Sequence, residues 1–227
     1  MKMNEEIRLE SFEQYFDEIK NIWRRLEQPN RVIPFCTPLV LNPKFLIIGT
    51  NHSNNFNPHD EIENNRIADS YSNELPREHT FLEHQHPFAK ALRRIVSGVK
   101  EEFPDFDLTE EWLGTNRCAV QTDSDGITNI SRHSNYKECE KEMDLLLKAF
   151  VRYIKPKNVI LTGEHACRLY YPKGPVQDMP SKKSIFGKGC TDTFNLIPVK
   201  HFSAGRRPNE IIQKITDSIK DGFCDYL

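Results

Sequence analysis

A chain of 227 residues is long enough to bury the core of one domain, and no stretch of it resembles a linker. We therefore predict a single domain over residues 1–227, with a mainly helical N-terminal segment over residues 1–40. The net charge of −2 argues against a protein that coats DNA through bulk basic charge, although it leaves room for a local basic groove. No run of about 18 apolar residues is present and the first ten residues lack the apolar core of a secretion signal, so we expect no membrane association and a cytoplasmic location, or a nuclear one in a eukaryote.

The first 85 residues predict one helix, one buried strand and a long loop. Apolar residues recur at helical spacing over residues 6–27, which predicts a helix over that range; a capping-box pattern at Ser11 and Gln14 offers an alternative start partway along it. Residues 45–48 form a short apolar run that is typical of a strand buried on both faces. Residues 57–83 are polar and show no period, which indicates a functional or mobile loop.

The rest of the chain continues the alternation of helices and strands. Four strands alternating with helices predict an α/β fold, a three-layer α/β/α arrangement with a four-stranded parallel sheet. The later predicted elements are a helix over 86–100, a strand over 115–122, a helix over 136–154, a strand over 159–162 followed by a short helix over 166–170, a loop over 172–188, a strand over 194–199 and a helix from Pro208.

Polar residues lie at the ends of three predicted strands. Residues 49–53 (GTNHS) follow the first strand, Thr115-Asn116 begin the second, and residues 201–203 (HFS) follow the fourth. Open parallel sheets bind ligands at the carboxyl edge of their strands, so these residues are the candidate site. The structural alternatives are that Asn51 is a turn residue and that His201 is a hydrogen-bonded core histidine.

The order of these motifs resembles the uracil-DNA glycosylase superfamily. Gly49-Thr50-Asn51 is similar to the Gly-x-Asn loop after the family's first strand, although His52-Ser53 stand where the family has Pro-Gly. The residues at 201–203 are similar to the family's His-Pro-Ser, with Phe202 in place of the proline. The segments VILTGEHA and HPFAKALRRIVSGV also resemble the family, and the likeness runs from about residue 43 to 212. It implies the family's four-stranded parallel fold.

The resemblance also implies residue roles. The catalytic residues would be Asn51, which positions the water that attacks the sugar C1′, and His201, which hydrogen-bonds O2 of the departing uracil. Asn116 would read the base edge and Phe56 would stack on the base, with Gly49, Thr50, His52 and Ser203 lining the same site. Arg206 and Arg207 would press into the DNA minor groove, although the two arginines could equally be a solvated surface pair and Phe56 could simply pack. Apart from the resemblance, DNA phosphates could be held by cations in loops that we place at the carboxyl edge, namely Lys182, Lys183, Lys188, Arg206 and Arg207.

This set of residues suits the chemistry. Cleavage of the glycosidic bond expels an anionic base, so the site needs hydrogen-bond donors directed at that charge. The nucleotide must also leave the base stack, and an aromatic side chain can receive it. An amide such as that of Asn116 can pair with both a donor and an acceptor on uracil.

We predict no cofactor and no metal. The thermostable branch of the family binds an iron–sulfur cluster through four cysteines; here Cys139 falls near one ligand position, Cys118 is two residues from another, and the N-terminal Cys-x-x-Cys is absent. An iron–sulfur cluster is therefore not expected, and the scattered cysteines are predicted to be reduced and buried. A zinc site at His79, Glu83, His84 and His86 is the alternative, but these residues fall in a polar loop where exposed histidines are common.

The leading prediction is a monofunctional DNA glycosylase (a hydrolase) acting on uracil or a related damaged base, with single- or double-stranded DNA as its partner. One alternative is a protein of the same fold that binds nucleic acid or a partner without catalysis, which His52, Ser53 and Phe202 favour. Another is a hydrolase or transferase acting on free nucleosides. A P-loop nucleotide hydrolase is disfavoured because the G-x-x-x-x-G-K-[ST] motif is absent.

Overall fold

The structure, a computed structural model, describes residues 7–26, 32–35, 37–50, 52–53, 74–76, 87–104, 111–122, 131–171, 174–186, 192–202 and 208–223. Helices and strands alternate along these ranges. The strands are β1 Phe45–Gly49, β2 His52–Ser53, β3 Trp112–Asn116, β4 Gln121–Thr122, β5 Asn158–Thr162, β6 Lys182–Ile185 and β7 Thr193–Val199. The α-helices are α1 Phe12–Arg24, α2 Pro87–Glu102, α3 Tyr136–Ile154, α4 Gly163–Cys167 and α5 Pro208–Phe223, and a 3₁₀ helix spans Val176–Asp178.

The main sheet has five strands in the order β3-β1-β5-β7-β6. Four contiguous strands are parallel, and β6 pairs with β7 in the antiparallel direction at one edge. The prediction of a four-stranded parallel sheet is therefore wrong in strand number, because residues 182–185 were assigned to a loop. Strand β6 is mostly exposed and reads KKSI, so it lacks the apolar run that marked the other strands; lysines of this kind are common in edge strands.

The predicted strand over 115–122 is also wrong in its bounds. Strand β3 ends at Asn116, and β4 pairs with β2 in a separate two-stranded sheet. The prediction was extended past β3 because Cys118, Ala119 and Val120 are apolar and buried like strand residues, although they lie outside the main sheet. Thr115-Asn116 consequently end a strand instead of beginning one.

Helices cover both faces of the sheet, as the alternation predicted. In β1, Leu46 and Ile48 belong to a core shared with α1, α3 and α4, whereas Phe45 and Ile47 belong to a core shared with α2 and α5. Successive strand residues point to opposite faces, so a fully apolar strand is what a sheet covered on both sides requires. We refer below to the α1/α3/α4 face and the α2/α5 face.

The helix ends follow local signals. Helix α1 begins after Ser11, whose Oγ accepts the backbone N–H of Gln14 at 3.1 Å, so the helix starts at the capping pattern and not at residue 6. Helix α3 has the predicted bounds and ends at Lys155, which adopts a left-handed conformation (φ 48°) before Pro156. Helix α4 begins directly at Gly163, three residues earlier than predicted. None of the helices in the described ranges is long and apolar enough to cross a membrane.

Candidate active site

The carboxyl ends of the parallel strands bring several of the predicted site residues to one edge. Gly49 pairs with Asn116 across β1 and β3, and Thr162 pairs with Val199 across β5 and β7. Since Ile48 pairs with Leu161, the ends of all four strands lie at nearly the same level. His201 follows β7 by two residues, so Gly49, Asn116 and His201 all lie at this edge.

The Asn116 carboxamide packs directly against the backbone of Gly49. A Cβ atom at position 49 would overlap Asn116 Oδ1, so only glycine leaves room for the amide in this position. Asn116 is 8% exposed, and its carboxamide makes no hydrogen bond to any residue that the structure describes. Its donor and acceptor therefore lie at the sheet edge and are unpaired among the described residues.

A second close approach joins the ends of β1, β5 and β7. Gly163 has φ +85°, a left-handed conformation that turns the chain from β5 into α4. A Cβ atom at this position would lie 3.4 Å from His201 Cβ and 3.5 Å from Thr50 Oγ1. The side chains of Thr50 and His201 thus meet around Gly163.

The imidazole of His201 lies beside the α2/α5 core. Its ring centroid is 5.7 Å from that of Phe88 in α2, and Phe88 in turn stacks on the buried Phe202 at 5.1 Å. Burial lowers the pKa of His201 below its ordinary value of 6.5, so the ring is neutral at pH 7. A neutral imidazole still has one N–H to donate.

Thr162 is a site residue that the sequence did not reveal. It ends β5 opposite Val199 of β7, it is fully buried, and its Oγ1 finds no hydrogen-bond partner among the described residues. Buried polar groups without partners are uncommon in folded proteins and mark positions that need an explanation. A threonine at the end of a strand carries no signal of this kind, because threonine is common in strands.

A partly buried charged network lies on the α1/α3/α4 face, centred on the buried Arg117. The guanidinium of Arg117 donates from Nε and Nη2 to the two carboxylate oxygens of Asp144, at 2.6 and 2.7 Å, and from Nη1 to the backbone oxygen of His165 at 2.8 Å. The Glu140 carboxylate accepts hydrogen bonds from Tyr136 Oη at 3.1 Å and from His165 Nε2 at 2.9 Å. Sequence reasoning missed this network, although polar residues at 136, 140 and 144 recur every four positions along α3.

The electrostatics of the network agree with its geometry. Burial opposes the positive charge of Arg117, but the hydrogen bond and charge of Asp144 outweigh it and raise the pKa of Arg117. The hydrogen bond from His165 lowers the pKa of Glu140 to about 2, against the effect of burial. Burial, together with the positive charge of Arg117, lowers the pKa of His165 although the Glu140 carboxylate raises it. His165 is therefore neutral with its proton on Nε2, because an ionised carboxylate can only accept.

Two lysines of the predicted loop over 172–188 lie in a strand instead. Lys182 and Lys183, which were assigned to a loop at the carboxyl edge, instead lie in β6 opposite Leu196 and Asn195, before the end of β7. This antiparallel pairing places both lysines away from the candidate site.

Several residues of the predicted sites lie outside the described ranges. They are Asn51, Phe56, Lys188, Ser203, Arg206 and Arg207, together with His79, Glu83, His84 and His86 and the side chain of His52.

The cysteines that the structure describes are structural thiols. Cys118, Cys139 and Cys167 are buried and unpaired, as predicted, and burial raises the pKa of the Cys118 thiol to about 12. Within the described ranges, no group of three or more His, Cys, Asp or Glu residues is arranged to hold a metal ion. The candidate site therefore consists of amide, hydroxyl and imidazole groups.

The described cavities lie away from this edge. One open cavity, of about 680 Å³, is lined by α1 and by residues 38–39 and 74–76, and another, of about 650 Å³, lies along α5 beside Ser181. Neither is lined by Thr50, Asn116 or His201.

No family model matches the sequence, and no curated protein is significantly similar to it.

Proposed function

We propose that this chain is a monofunctional DNA glycosylase that hydrolyses the N-glycosidic bond of uracil or a related damaged base. The observation that carries the proposal is the placement of the Asn116 carboxamide and the neutral His201 imidazole at the same carboxyl edge, beside Gly49 and Gly163. The proposal includes a uracil-DNA glycosylase-like fold, to which β6 adds an antiparallel edge strand, and a cytoplasmic or nuclear location where DNA is the substrate.

The proposed chemistry assigns one task to each group. His201 donates a hydrogen bond to O2 of the uracil as negative charge develops there, because a neutral imidazole still carries one N–H. Asn116 holds the base edge through an amide that the fold leaves unpaired among the described residues. Asn51 orients the attacking water and Phe56 receives the flipped base, as the family resemblance implies.

The test is cleavage of oligonucleotides that contain uracil, in single- and double-stranded form, detected as abasic sites. We expect the wild-type protein to release uracil and His201→Ala to lose on the order of 100-fold or more in rate, because it removes a donor to the developing anion. Asn51→Ala should lose a comparable factor. His133→Ala, which removes a histidine before α3, should retain the wild-type rate.

A wild-type protein that leaves uracil and other damaged bases intact would overturn the proposal. The second candidate is a protein of the same fold that binds DNA without cutting it, and Phe202 is the observation that favours it. This residue stands where the family's motif has proline, and it is held in the core against Phe88. Salt-dependent binding of an oligonucleotide with no product would select the second candidate, and turnover of free nucleosides alone would select the nucleoside enzyme.

A further inference from the structure

The end of β3 is tied to β1 beyond the last residue of the strand. The backbone N–H of Arg117 donates to Gly49 O at 3.0 Å, and the N–H of Cys118 donates to Thr50 O at 2.9 Å. These bonds continue the pairing of β1 and β3 through the segments that carry Asn116 and Thr50. The position of the Asn116 amide therefore depends on residues 117 and 118.

The side chains of Asn116 and Arg117 lie on opposite faces of the sheet. Asn116 packs against Gly49, while the Arg117 guanidinium binds Asp144 of α3 on the α1/α3/α4 face. Arg117 is 5% exposed, so its fork is held in a buried and nearly fixed geometry.

The guanidinium also reaches over strand β1 along the α1/α3/α4 face. Strand β1 separates β3 from β5, yet Arg117 Nη1 donates to the backbone oxygen of His165 in α4, which follows β5. Helix α4 begins at Gly163, the residue around which Thr50 and His201 meet. One side chain therefore links the segment that carries Asn116 to the segment that carries Gly163.

We infer that Arg117 is a positioning residue, which fixes the spacing between the Asn116 amide and the Gly163–His201 corner by binding Asp144 and the His165 backbone together. The inference rests on the proposed function, because the spacing matters for a base held between these two groups. A displacement of about 1 Å in a catalytic group can reduce a rate by about 100-fold.

The chain offers a matched control for this ion pair. Arg25 binds Glu142 in the same two-pronged way, at 2.8 and 3.1 Å, and Glu142 lies on α3 two residues before Asp144. This second pair is partly exposed and does not involve the residues at the sheet edge. Asp144→Asn and Glu142→Gln therefore remove equivalent charges from one helix at positions with different connections.

We expect Asp144→Asn to lower kcat on a uracil oligonucleotide by about 10- to 100-fold per folded molecule, while binding to the same DNA without uracil is unchanged. Arg117→Lys should lose a similar factor, because a lysine ammonium cannot bind both Asp144 oxygens and the His165 oxygen with the geometry of the guanidinium fork. Glu142→Gln should stay within about twofold of wild type. A folded Asp144→Asn or Arg117→Lys protein with the wild-type kcat would overturn the inference, as would an equal loss in Glu142→Gln.

Hydrogen exchange gives a readout that does not require activity. In Asp144→Asn, the amides of Arg117 and Cys118 should exchange at least about tenfold faster, whereas the amide of Ile160 in the middle of β5 keeps its wild-type rate. If the wild-type protein cleaves no oligonucleotide, the proposed function fails and these two amides alone decide whether Arg117 holds the edge. Unchanged exchange at both amides in a folded Asp144→Asn protein would overturn the inference.

Discussion

Gly49 and Gly163 determine how closely the polar groups at the sheet edge approach one another. At Gly49 the absent side chain makes room for the Asn116 amide, and at Gly163 the positive φ turns the chain beside His201. The two glycines act for different reasons, one for space and the other for backbone conformation. The space at Gly49 depends on a contact with a distant part of the sequence, so it is not visible in the residues around that glycine.

Gly49→Ala should displace the Asn116 amide without removing it. The added Cβ overlaps Asn116 Oδ1, so the side chain must rotate away and the cleavage rate should fall by about 10- to 100-fold. The NMR resonances of the Asn116 side-chain NH₂ group should shift in the same variant. The matched control is Gly174→Ala, because a Cβ at that position meets no atom within 4 Å.

Wild-type cleavage in Gly49→Ala, with unshifted Asn116 resonances, would show that the amide does not occupy the position described here. A loss of activity in Gly174→Ala of the same size would show that the effect is not specific to the sheet edge.

Among the elements, helices α1 and α3 begin in different ways. Ser11 caps α1 with a side-chain hydrogen bond to Gln14 N–H, whereas Asn135 stands at the N-cap of α3 and makes no such bond. The two residue types have similar average preference for this position, so the difference lies in the local geometry. The pair therefore tests how much of the helix stability comes from the hydrogen bond itself.

Ser11→Ala should lower the free energy of unfolding by about 1 kcal/mol, because it leaves a backbone N–H of the first turn without its partner. Asn135→Ala should cost less than about half of that, since no cap hydrogen bond is lost. Chemical denaturation of both variants measures the difference. Equal losses in the two variants would contradict this account of the α1 cap.

The elements also show which sequence signals were sufficient. Helix α3 was predicted with its correct bounds, because an apolar stripe and a Lys-Pro stop coincide there. Strand β1 was also predicted correctly, because a run of four apolar residues ends there at a glycine. Strand β6 carries no apolar run, because an edge strand with exposed side chains has no buried face to encode.

For the whole molecule, the stability should depend on pH through two partly buried histidines. Burial lowers the pKa of both His165 and His201 below 6.5, so the unfolded chain binds protons at a higher pH than the folded one. The contribution to stability is therefore complete above about pH 6.5 and is lost as the pH falls through the lower folded values. Glu140, whose pKa is lowered to about 2, contributes in a more acidic range, below its ordinary value of 4.5.

We expect the free energy of unfolding to decrease between about pH 7.5 and pH 5.5, and to decrease less steeply in His201→Gln. The variant His165→Gln should have a similar effect, and the double variant should have the shallowest slope. Denaturation curves at each pH measure these slopes. A double variant with the wild-type slope would mean that these two rings are not the groups responsible.

At this scale, the sequence predicted the general arrangement but not the relations across the sheet. The alternation of helices and strands was enough to indicate helices on both faces and a carboxyl edge with polar ends. The network around Arg117 was not predictable, because it joins residues that become neighbours only through the strand order β3-β1-β5. The same strand order places Asn116 beside Gly49, a contact that the misplaced strand over 115–122 concealed.

The strand order has a further consequence for synthesis on the ribosome. Strand β5 lies between β1 and β7, and all five of its residues are buried in the finished molecule. A nascent chain that stops before Thr193 therefore presents one side of β5 as an unpaired apolar border, which is the kind of surface that recruits other chains. Emergence of β7 closes that border, so translational pausing in the preceding segment would prolong the interval in which the polypeptide can aggregate.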